Sequence, residues 1–264
     1  MGENNIIDYG KWIVPTSWNQ ITLKQYQEIE AFYDNAENKS FDVREVIHIL
    51  CNKTIDEVNA LPVEFLDDIM EKMSFLQTKV TEQEPTNTLM INGEKYVVNI
   101  QNKLKVGEYV AVDSIIKDDK HNYAAMLAIL CRKEGELYDS KFENEILEDR
   151  VHMWEQQPIT DVLRVISFFF AMLHDISDSY PTVFKNKGSN RPHSQGYRDF
   201  AQKWGNLKTL YEICDEKIEK VREVYQEYLN DYLTFLSYLI DKGEAERQED
   251  EFQELRRKAT KGRR

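Results

Sequence analysis

A short apolar stretch occurs twice in this chain and organises its helical pattern. Ile49-Leu50-Cys51-Asn52-Lys53 returns as Ile129-Leu130-Cys131-Arg132-Lys133. Both copies place three apolar residues ahead of a polar or basic end, as at the end of a core-facing helix. The two cysteines occupy the same place in each copy, so we interpret them as small buried hydrophobic residues at equivalent packing positions.

Each copy of this stretch lies in the same order of elements. An amphipathic segment centred on a tyrosine precedes it, at residues 23–29 and 106–112. A segment that opens with proline and ends in apolar and aromatic residues follows it, at residues 62–76 and 158–170. Apolar side chains three and four residues apart are typical of amphipathic helices. The sequence therefore predicts a mainly α fold with an internally duplicated three-helix unit.

Composition limits the classes to which this chain belongs. It has 264 residues, of which 41% are hydrophobic and 31% charged, with 10 glycines and 6 prolines, a mixture that favours packed helices with short connections. Apolar runs are shorter than the roughly 18 residues of a membrane span, and the first residues do not form a signal peptide. The net charge of −13 makes the chain as a whole unfavourable for nucleic-acid binding.

The residues that usually carry catalysis do not form a recognisable motif. The sequence has no glycine-rich phosphate loop, no nucleophile elbow and no zinc-binding helix motif. Its five histidines are scattered, and Cys51, Cys131 and Cys214 lack metal or redox spacing, so we interpret the cysteines as free thiols buried in helices in a reducing compartment. We therefore predict no enzymatic activity, no metal, no cofactor and no small-molecule substrate.

A β-hairpin is the one clear strand signal. Asn92-Gly93 separates the apolar runs 88–91 and 94–100, and an Asn-Gly pair favours the two-residue turn that joins hairpin strands. The free edges of such a hairpin are potential docking sites for another chain. We place this hairpin between the two helical copies.

The pattern divides the chain into six segments. They are an N-terminal arm (1–20), a first helical repeat (21–80), a linker with the hairpin (81–104), a second helical repeat (105–176), a basic loop (177–199) and a C-terminal helical segment with a basic tail (200–264).

Three expectations concern individual helices of these segments. The second helix of the second repeat is expected over 122–132. Residues 159–176 are apolar on almost every side and predict a buried helix with its core centre at 168–170. A strong helix is expected over 215–241, ahead of a basic tail of the kind that is usually disordered.

Two parts of the sequence have the residue types of a contact surface. Trp12 and Trp18 lie beside a proline in the arm, where they pack either on the chain's own core or on a partner. The basic side chains are Lys185, Lys187, Arg191 and Arg198 in the loop and Arg256, Arg257, Lys258, Arg263 and Arg264 in the tail. The loop is either solvated and flexible or bound to an acidic partner or phosphate. The tail contacts a polyanion or an acidic surface, or pairs with the acidic run 244–254.

Several stretches resemble proteins of the structural and morphogenesis gene blocks of tailed bacteriophages, including phages of Bacteroides-type hosts and crAss-like phages. The resemblance is carried by residues 15–26, 91–99, 105–109, 203–205 and 233–238. Relatives of this type are labelled tail-assembly chaperones or virion proteins. These stretches are packing and turn signatures and imply no catalytic residues.

The resemblance implies a non-enzymatic virion structural or assembly protein, such as a head–tail connector, a tail-ring protein or a packaged component. Its partners would be other phage structural proteins in an oligomeric ring or assembly, with no membrane. It would be found in the virion, and in the host cytoplasm during assembly. One alternative is a tail-assembly chaperone absent from the mature virion. A second is a nucleic-acid-associated protein that contacts DNA through its basic loop and tail.

Overall fold

The structure, a computed structural model, describes residues 7–8, 12–36, 42–80, 84–99, 103–136, 144–184 and 194–261. Of the residues described, 73% are helical, and they include a small three-stranded antiparallel sheet, which confirms the mainly α prediction. It divides into two compact units. The first unit comprises Met1–Val98 and Ala111–Phe169, and the second comprises Asn99–Val110 and Phe170–Arg264.

The described strands and α-helices, in chain order, are strands β1 (Ile7–Asp8) and β2 (Ile13–Val14), helices α1 (Leu23–Ala36), α2 (Val43–Cys51), α3 (Ile55–Asn59) and α4 (Val63–Lys72), strands β3 (Thr88–Ile91) and β4 (Glu94–Val98), helices α5 (Val106–Asp118) and α6 (Tyr123–Leu130), strand β5 (Cys131–Lys133), and helices α7 (Asn144–Glu155), α8 (Ile159–Ser179), α9 (Pro181–Phe184), α10 (Gln195–Ile213), α11 (Ile218–Tyr225) and α12 (Leu229–Lys261). Two short 3₁₀ helices, Trp18–Gln20 and Met73–Gln77, complete the described elements. Within these described helices, none has the length and apolar character needed to cross a membrane.

In the first unit, the starts of α1 and α8 are joined by a two-residue backbone bridge. Thr22 pairs antiparallel with Pro158. The Leu23 amide donates to the Gln157 carbonyl at 2.8 Å, and the Ile159 amide donates to the Ile21 carbonyl at 2.9 Å. The first amides of a helix have no partner inside the helix, and here each first amide bonds to the chain that leads into the other helix.

In the second unit, the same bridge joins the starts of α5 and α12. Lys105 pairs antiparallel with Tyr228. The Val106 amide donates to the Glu227 carbonyl at 3.0 Å, and the Leu229 amide donates to the Leu104 carbonyl at 2.8 Å. We call these two bridges the helix-start junctions.

Both helix-start junctions are enclosed by aliphatic side chains. The flanking residues are all buried: Ile21, Leu23 and Ile159 in the first unit and Leu104, Val106 and Leu229 in the second. Fully burying a side chain of this size contributes about 1.5–3 kcal/mol. Because these six residues are buried, breaking a bridge bond would leave their amides or carbonyls unpaired.

A side chain three residues into the helix completes each junction. In α1 the Gln25 side chain accepts from the Thr22 amide at 3.0 Å, and the Gln25 amide donates to the Thr22 hydroxyl at 3.3 Å, as in a capping box. In α5 the buried Glu108 carboxylate accepts from the Lys105 amide at 2.7 Å. The segments around Tyr26 and Tyr109, which the sequence aligns, therefore begin with the same backbone geometry.

The duplication of a whole three-helix unit stays a prediction. What recurs in the structure is the helix-start junction, and it pairs α1 with α8 and α5 with α12. The partners within each junction are far apart in the sequence, which is why local periodicity did not indicate the pairing.

The predicted hairpin is present, with Asn92 at φ 51° and Gly93 at φ 80°, both in the left-handed region that its turn requires. The prediction of a helix over 122–132 was wrong at its end, because β5 continues from α6 and pairs with β4. A two-stranded hairpin alone is marginal in water, and this third strand supplies the missing pairing. The small sheet thus has the order β3-β4-β5.

The prediction that α8 is buried all round, with a core centre at 168–170, was wrong. Phe169 is buried, whereas Phe170 is exposed. One face of α8 is exposed along its length, because Ser167, His174 and Asp178 lie at helical spacing from Phe170 and are exposed as well. Helix α8 is therefore amphipathic.

The helix expected over 215–241 is interrupted. Asp215 and Glu216 have positive φ angles of 52° and 61°, and α11 ends before the junction residue Tyr228. The junction pairs Tyr228 with Lys105, and this pairing requires extended backbone at Tyr228. It interrupts the helix there, although the sequence has a helical pattern on both sides of Tyr228.

The predicted loop over 177–199 is helical at both ends. Residues 177–179 complete α8, α9 follows, and α10 begins at Gln195; residues 185–193 lie outside the described part of the chain.

The expectation of a disordered basic tail was also wrong for its described part, because α12 continues to Lys261.

All three cysteines are buried and free, as predicted from their apolar surroundings. Burial raises the pKa of the Cys51 thiol to about 12, and it raises the pKa values of Cys131 and Cys214 as well. The placement of Cys131 in a helix was wrong, since it begins β5.

We expect Glu108→Ala to lower the free energy of unfolding of the second unit by about 1–2 kcal/mol, because it leaves the part-buried Lys105 amide without its side-chain acceptor. Glu108→Gln should retain most of this stability, since Gln25 makes the corresponding bond in the first unit. Urea unfolding of the three proteins, followed by circular dichroism, measures the difference. Equal midpoints for Glu108→Ala and the native chain would contradict this account of the junction.

Candidate functional site

The N-terminal arm packs on its own chain. The Trp18 indole nitrogen donates to the Thr78 carbonyl at 3.0 Å. Its ring makes edge contacts with Phe75, at 5.2 Å between centroids, and with Tyr26, at 6.1 Å. In this structure Trp18 therefore packs on the chain's own fold.

Trp12 is half-buried against the first unit. The Lys53 ammonium lies 5.4 Å from the centre of its ring, and Trp12 lines a cavity of about 240 Å³ with Leu61, Pro62, Phe65 and Ile69. Trp12 and Trp18 are therefore structural anchors of the arm in the described fold.

Of the four basic loop residues, the structure describes only Arg198. Arg198 is exposed on α10 and donates to the Gln195 side chain at 2.9 Å. Lys185, Lys187 and Arg191 lie outside the described residues.

The basic tail residues are exposed near the end of α12. Lys258 lies 3.7 Å from the Glu254 carboxylate, and the Arg256 guanidinium lies 5.7 Å from the centre of the Phe252 ring. Arg257 is exposed on the same helix. Arg263 and Arg264 lie outside the described residues. The tail belongs to the second unit and the tryptophans to the first, so these predicted contact residues do not share one unit.

A cluster of polar side chains joins α1 to the turn between α5 and α6. His121 Nε2 lies 2.7 Å from the Asp34 carboxylate, and Nδ1 lies 3.4 Å from Glu30. The Tyr26 hydroxyl donates to Glu30 at 2.9 Å, and the Tyr123 hydroxyl donates to Glu30 at 3.3 Å. The sequence did not indicate this cluster, because its members are about 90 residues apart and residues 118–120 look like an ordinary polar turn.

The charges and hydrogen bonds of this cluster hold α1 to the turn between α5 and α6, and we call the cluster the clamp. Burial and the Glu30 carboxylate raise the pKa of Tyr26, and the same causes raise the pKa of Tyr123 to about 12. Both phenols are therefore neutral donors at physiological pH. Hydrogen bonds from Lys120 and His121 lower the pKa of Asp34 and keep it ionised. Every member of the cluster already has a protein partner, so the cluster is better suited to holding α1 in place than to acid–base chemistry.

We expect the stability difference between the native chain and Asp34→Asn to depend on pH. The pKa of Asp34 in the folded chain is below its ordinary value of 3.8, so its stabilising effect is present above that value and is lost as the pH falls through the folded pKa. The difference in urea midpoint between the two proteins should therefore be full at pH 7 and smaller at pH 3. A gap that persists unchanged at pH 3 would contradict the clamp. Asp67→Asn, on the exposed face of α4, is the control for losing one surface carboxylate.

The second unit presents aromatic side chains to solvent along α10. Phe200 is 47% exposed and Trp204 is 39% exposed, one helical turn apart. With Lys208 and Glu216 they border a concavity of about 280 Å³. Gly205, at φ 46° and ψ −125°, breaks the helical geometry beside Trp204, a conformation that side chains with a Cβ rarely adopt. We call Phe200 and Trp204 with this concavity the α10 aromatic surface.

A larger groove lies within the second unit. Its volume is about 510 Å³, and the residues lining it come from α5, α9, α10 and α12 and are mostly apolar: Tyr109, Val110, Val183, Phe184, Thr209, Glu212, Ile213, Tyr232, Leu233, Leu236, Leu239 and Ile240. Glu212 is its one acidic side chain. An apolar groove with few polar groups is suited to an apolar side chain or helix face of a partner.

The α10 aromatic surface and the groove are the features that best fit a binding role, and the sequence identified neither. Trp204 and its neighbours were expected to form a helix, but periodicity does not show which helical aromatics remain exposed after packing. Within the described residues, no group of three or more histidine, cysteine or acidic side chains is arranged to hold a metal ion.

Comparisons with protein-family models, with curated proteins and with solved structures found no match for this chain.

Proposed function

We propose that this chain is a non-enzymatic bacteriophage structural or assembly protein that acts through protein–protein contacts. The phage context rests on the sequence resemblance of residues 15–26, 91–99, 105–109, 203–205 and 233–238. The contact role is supported by one observation above all, the exposed aromatic side chains of the α10 aromatic surface.

Exposed aromatic residues beside a groove are typical of protein interfaces. Aromatic side chains are enriched at the centres of interfaces and supply much of their binding free energy. The second unit exposes large hydrophobic side chains on several helices: Phe170, Phe184, Tyr197, Phe200, Trp204, Ile218, Tyr228, Phe235, Tyr238, Phe252 and Leu255. Single exposed apolar side chains are common on protein surfaces, whereas adjacent ones, such as Phe200 and Trp204, are the kind of surface that marks contact sites for other proteins.

This role has two versions, which differ in whether the chain is part of the finished virion. A virion component, such as a head–tail connector, a tail-ring protein or a packaged protein, stays in the finished particle beside other phage structural proteins. A tail-assembly chaperone acts in the host cytoplasm and leaves before the particle is complete. Mass spectrometry of purified virions distinguishes them, since stoichiometric peptides from this chain support the first version and their absence supports the second. Full assembly of infectious particles without this chain would overturn both.

A nucleic-acid-associated function is the weaker alternative. Arg256, Arg257 and Lys258 are exposed, but the acidic residues Glu251 and Glu254 lie within one or two turns of them on the same helix. This mixed charge weakens the attraction to phosphates that non-specific DNA binding needs. A gel-shift assay at low salt tests the alternative, and DNA binding lost on deleting residues 256–264 would revive it.

We expect Phe200→Ala combined with Trp204→Ala to reduce the recovery of co-purifying phage proteins at least tenfold, because truncating a central aromatic residue commonly costs 2 kcal/mol or more of binding free energy. The measurement is quantitative mass spectrometry after affinity purification of the tagged chain from infected cells. The control is Ile13→Ala combined with Met90→Ala, which truncates two exposed apolar side chains of the first unit. Equal losses in both variants, or none in either, would contradict an interface on α10.

A further inference from the structure

The last part of α12 extends away from the packed part of its own unit. Leu229, Leu233 and Leu236 are buried, whereas every side chain from Asp241 to Lys258 is exposed. This exposed part is about 27 Å long at 1.5 Å per residue. A single helix of this length is marginal in water unless its side chains pair or it packs against another surface.

The exposed part carries a short apolar seam. Phe252 is 53% exposed and Leu255 is 65% exposed, three residues apart on one face. Ala245 and Gln248 continue the same face at the three- and four-residue spacing with which two helices pack together. The seam has its two largest side chains adjacent, with smaller ones toward the start of the exposed part.

Charges beside the seam reverse sign at its centre. Before Phe252 the flanking side chains are Glu249 and Glu251, and after Leu255 they are Arg256 and Lys258. All four are exposed. The charges that flank the seam of one helix are therefore opposite in sign to those of a second, antiparallel copy of the same helix.

We propose that the exposed part of α12 is a contact surface for a second copy of this chain, whose α12 lies antiparallel to the first. In this arrangement Phe252 of each copy packs against Leu255 of the other. Glu249 then faces Arg256 of the second copy, and Glu251 faces Lys258, because equivalent flanking positions meet in an antiparallel pair. Charges at these flanking positions set the orientation in which paired helices associate.

The parallel arrangement gains less from the same charges. It brings Glu251 of one copy beside Arg256 of the other, but it also places Glu244 beside Glu249, so a like-charged pair offsets each oppositely charged pair. Contacts within one helix involve exposed groups and contribute little; they include Lys242 with Glu246, Arg247 with Glu244, Lys258 with Glu254, the Gln253 side chain donating to Glu249, and Arg256 over Phe252. They leave the apolar seam in water, which the second copy would cover.

The test is the mass of the full chain in solution as a function of concentration, measured by analytical ultracentrifugation over about 1–200 μM, the range expected for a small interface. The native chain should move from its single-chain mass of 31.3 kDa toward twice that mass. Glu249→Lys with Glu251→Lys, and separately Arg256→Glu with Lys258→Glu, should each remain at the single-chain mass. An equimolar mixture of the two variants should regain the doubled mass, because every flanking pair is again of opposite sign.

The matched control is Glu246→Lys with Asp250→Lys, which makes the same change in net charge on the side of α12 away from the seam. It should associate like the native chain, and circular dichroism should show unchanged helix content in every variant. A native chain that stays at the single-chain mass throughout, a mixture that fails to associate, or a control that loses association would each overturn the proposal. The test uses no phage component, so its outcome is independent of the proposed assembly role.

Discussion

The helix-start junctions are the constraint on which the rest of the fold depends. In each unit, two helices begin at one antiparallel bridge, and the first amide of each bonds to the chain that precedes the other. The bridge joins segments more than 100 residues apart, at Thr22 with Pro158 and at Lys105 with Tyr228. Because aliphatic side chains enclose it, each junction fixes where its helices start and which faces turn inward.

Local chemistry predicted the parts of the fold that depend on neighbouring residues. The Asn92-Gly93 turn has the positive φ angles that its sequence requires, and the Asp42 side chain caps α2 by accepting from the Arg44 amide. The mainly α class followed from periodicity and composition. By contrast, strand β5 and the break at Tyr228 were missed, because each is set by pairing with a distant segment while its own sequence continues a helical pattern.

The residues of the candidate site were less predictable than the fold, because their exposure also depends on contacts between segments that are distant in the sequence. Tryptophan beside proline indicated a packed arm, but only the contacts of Trp18 with Phe75 and Thr78 place it on its own chain. The aromatic residues on α10 were expected only to lie in a helical segment, since periodicity reports a helical face and not what covers it. Phe200 and Trp204 remain exposed because the described fold of the second unit does not cover that face.

Amide hydrogen exchange at the four junction residues Leu23, Ile159, Val106 and Leu229 tests the central claim most directly. If the junctions hold each unit together, these amides exchange only when their unit unfolds cooperatively, with protection equal to the free energy of unfolding of that unit. Their exchange should then be slower by orders of magnitude than that of the exposed amides after Asp241 in α12. Exchange at the junctions by local fraying, as fast as in that exposed part, would contradict the account.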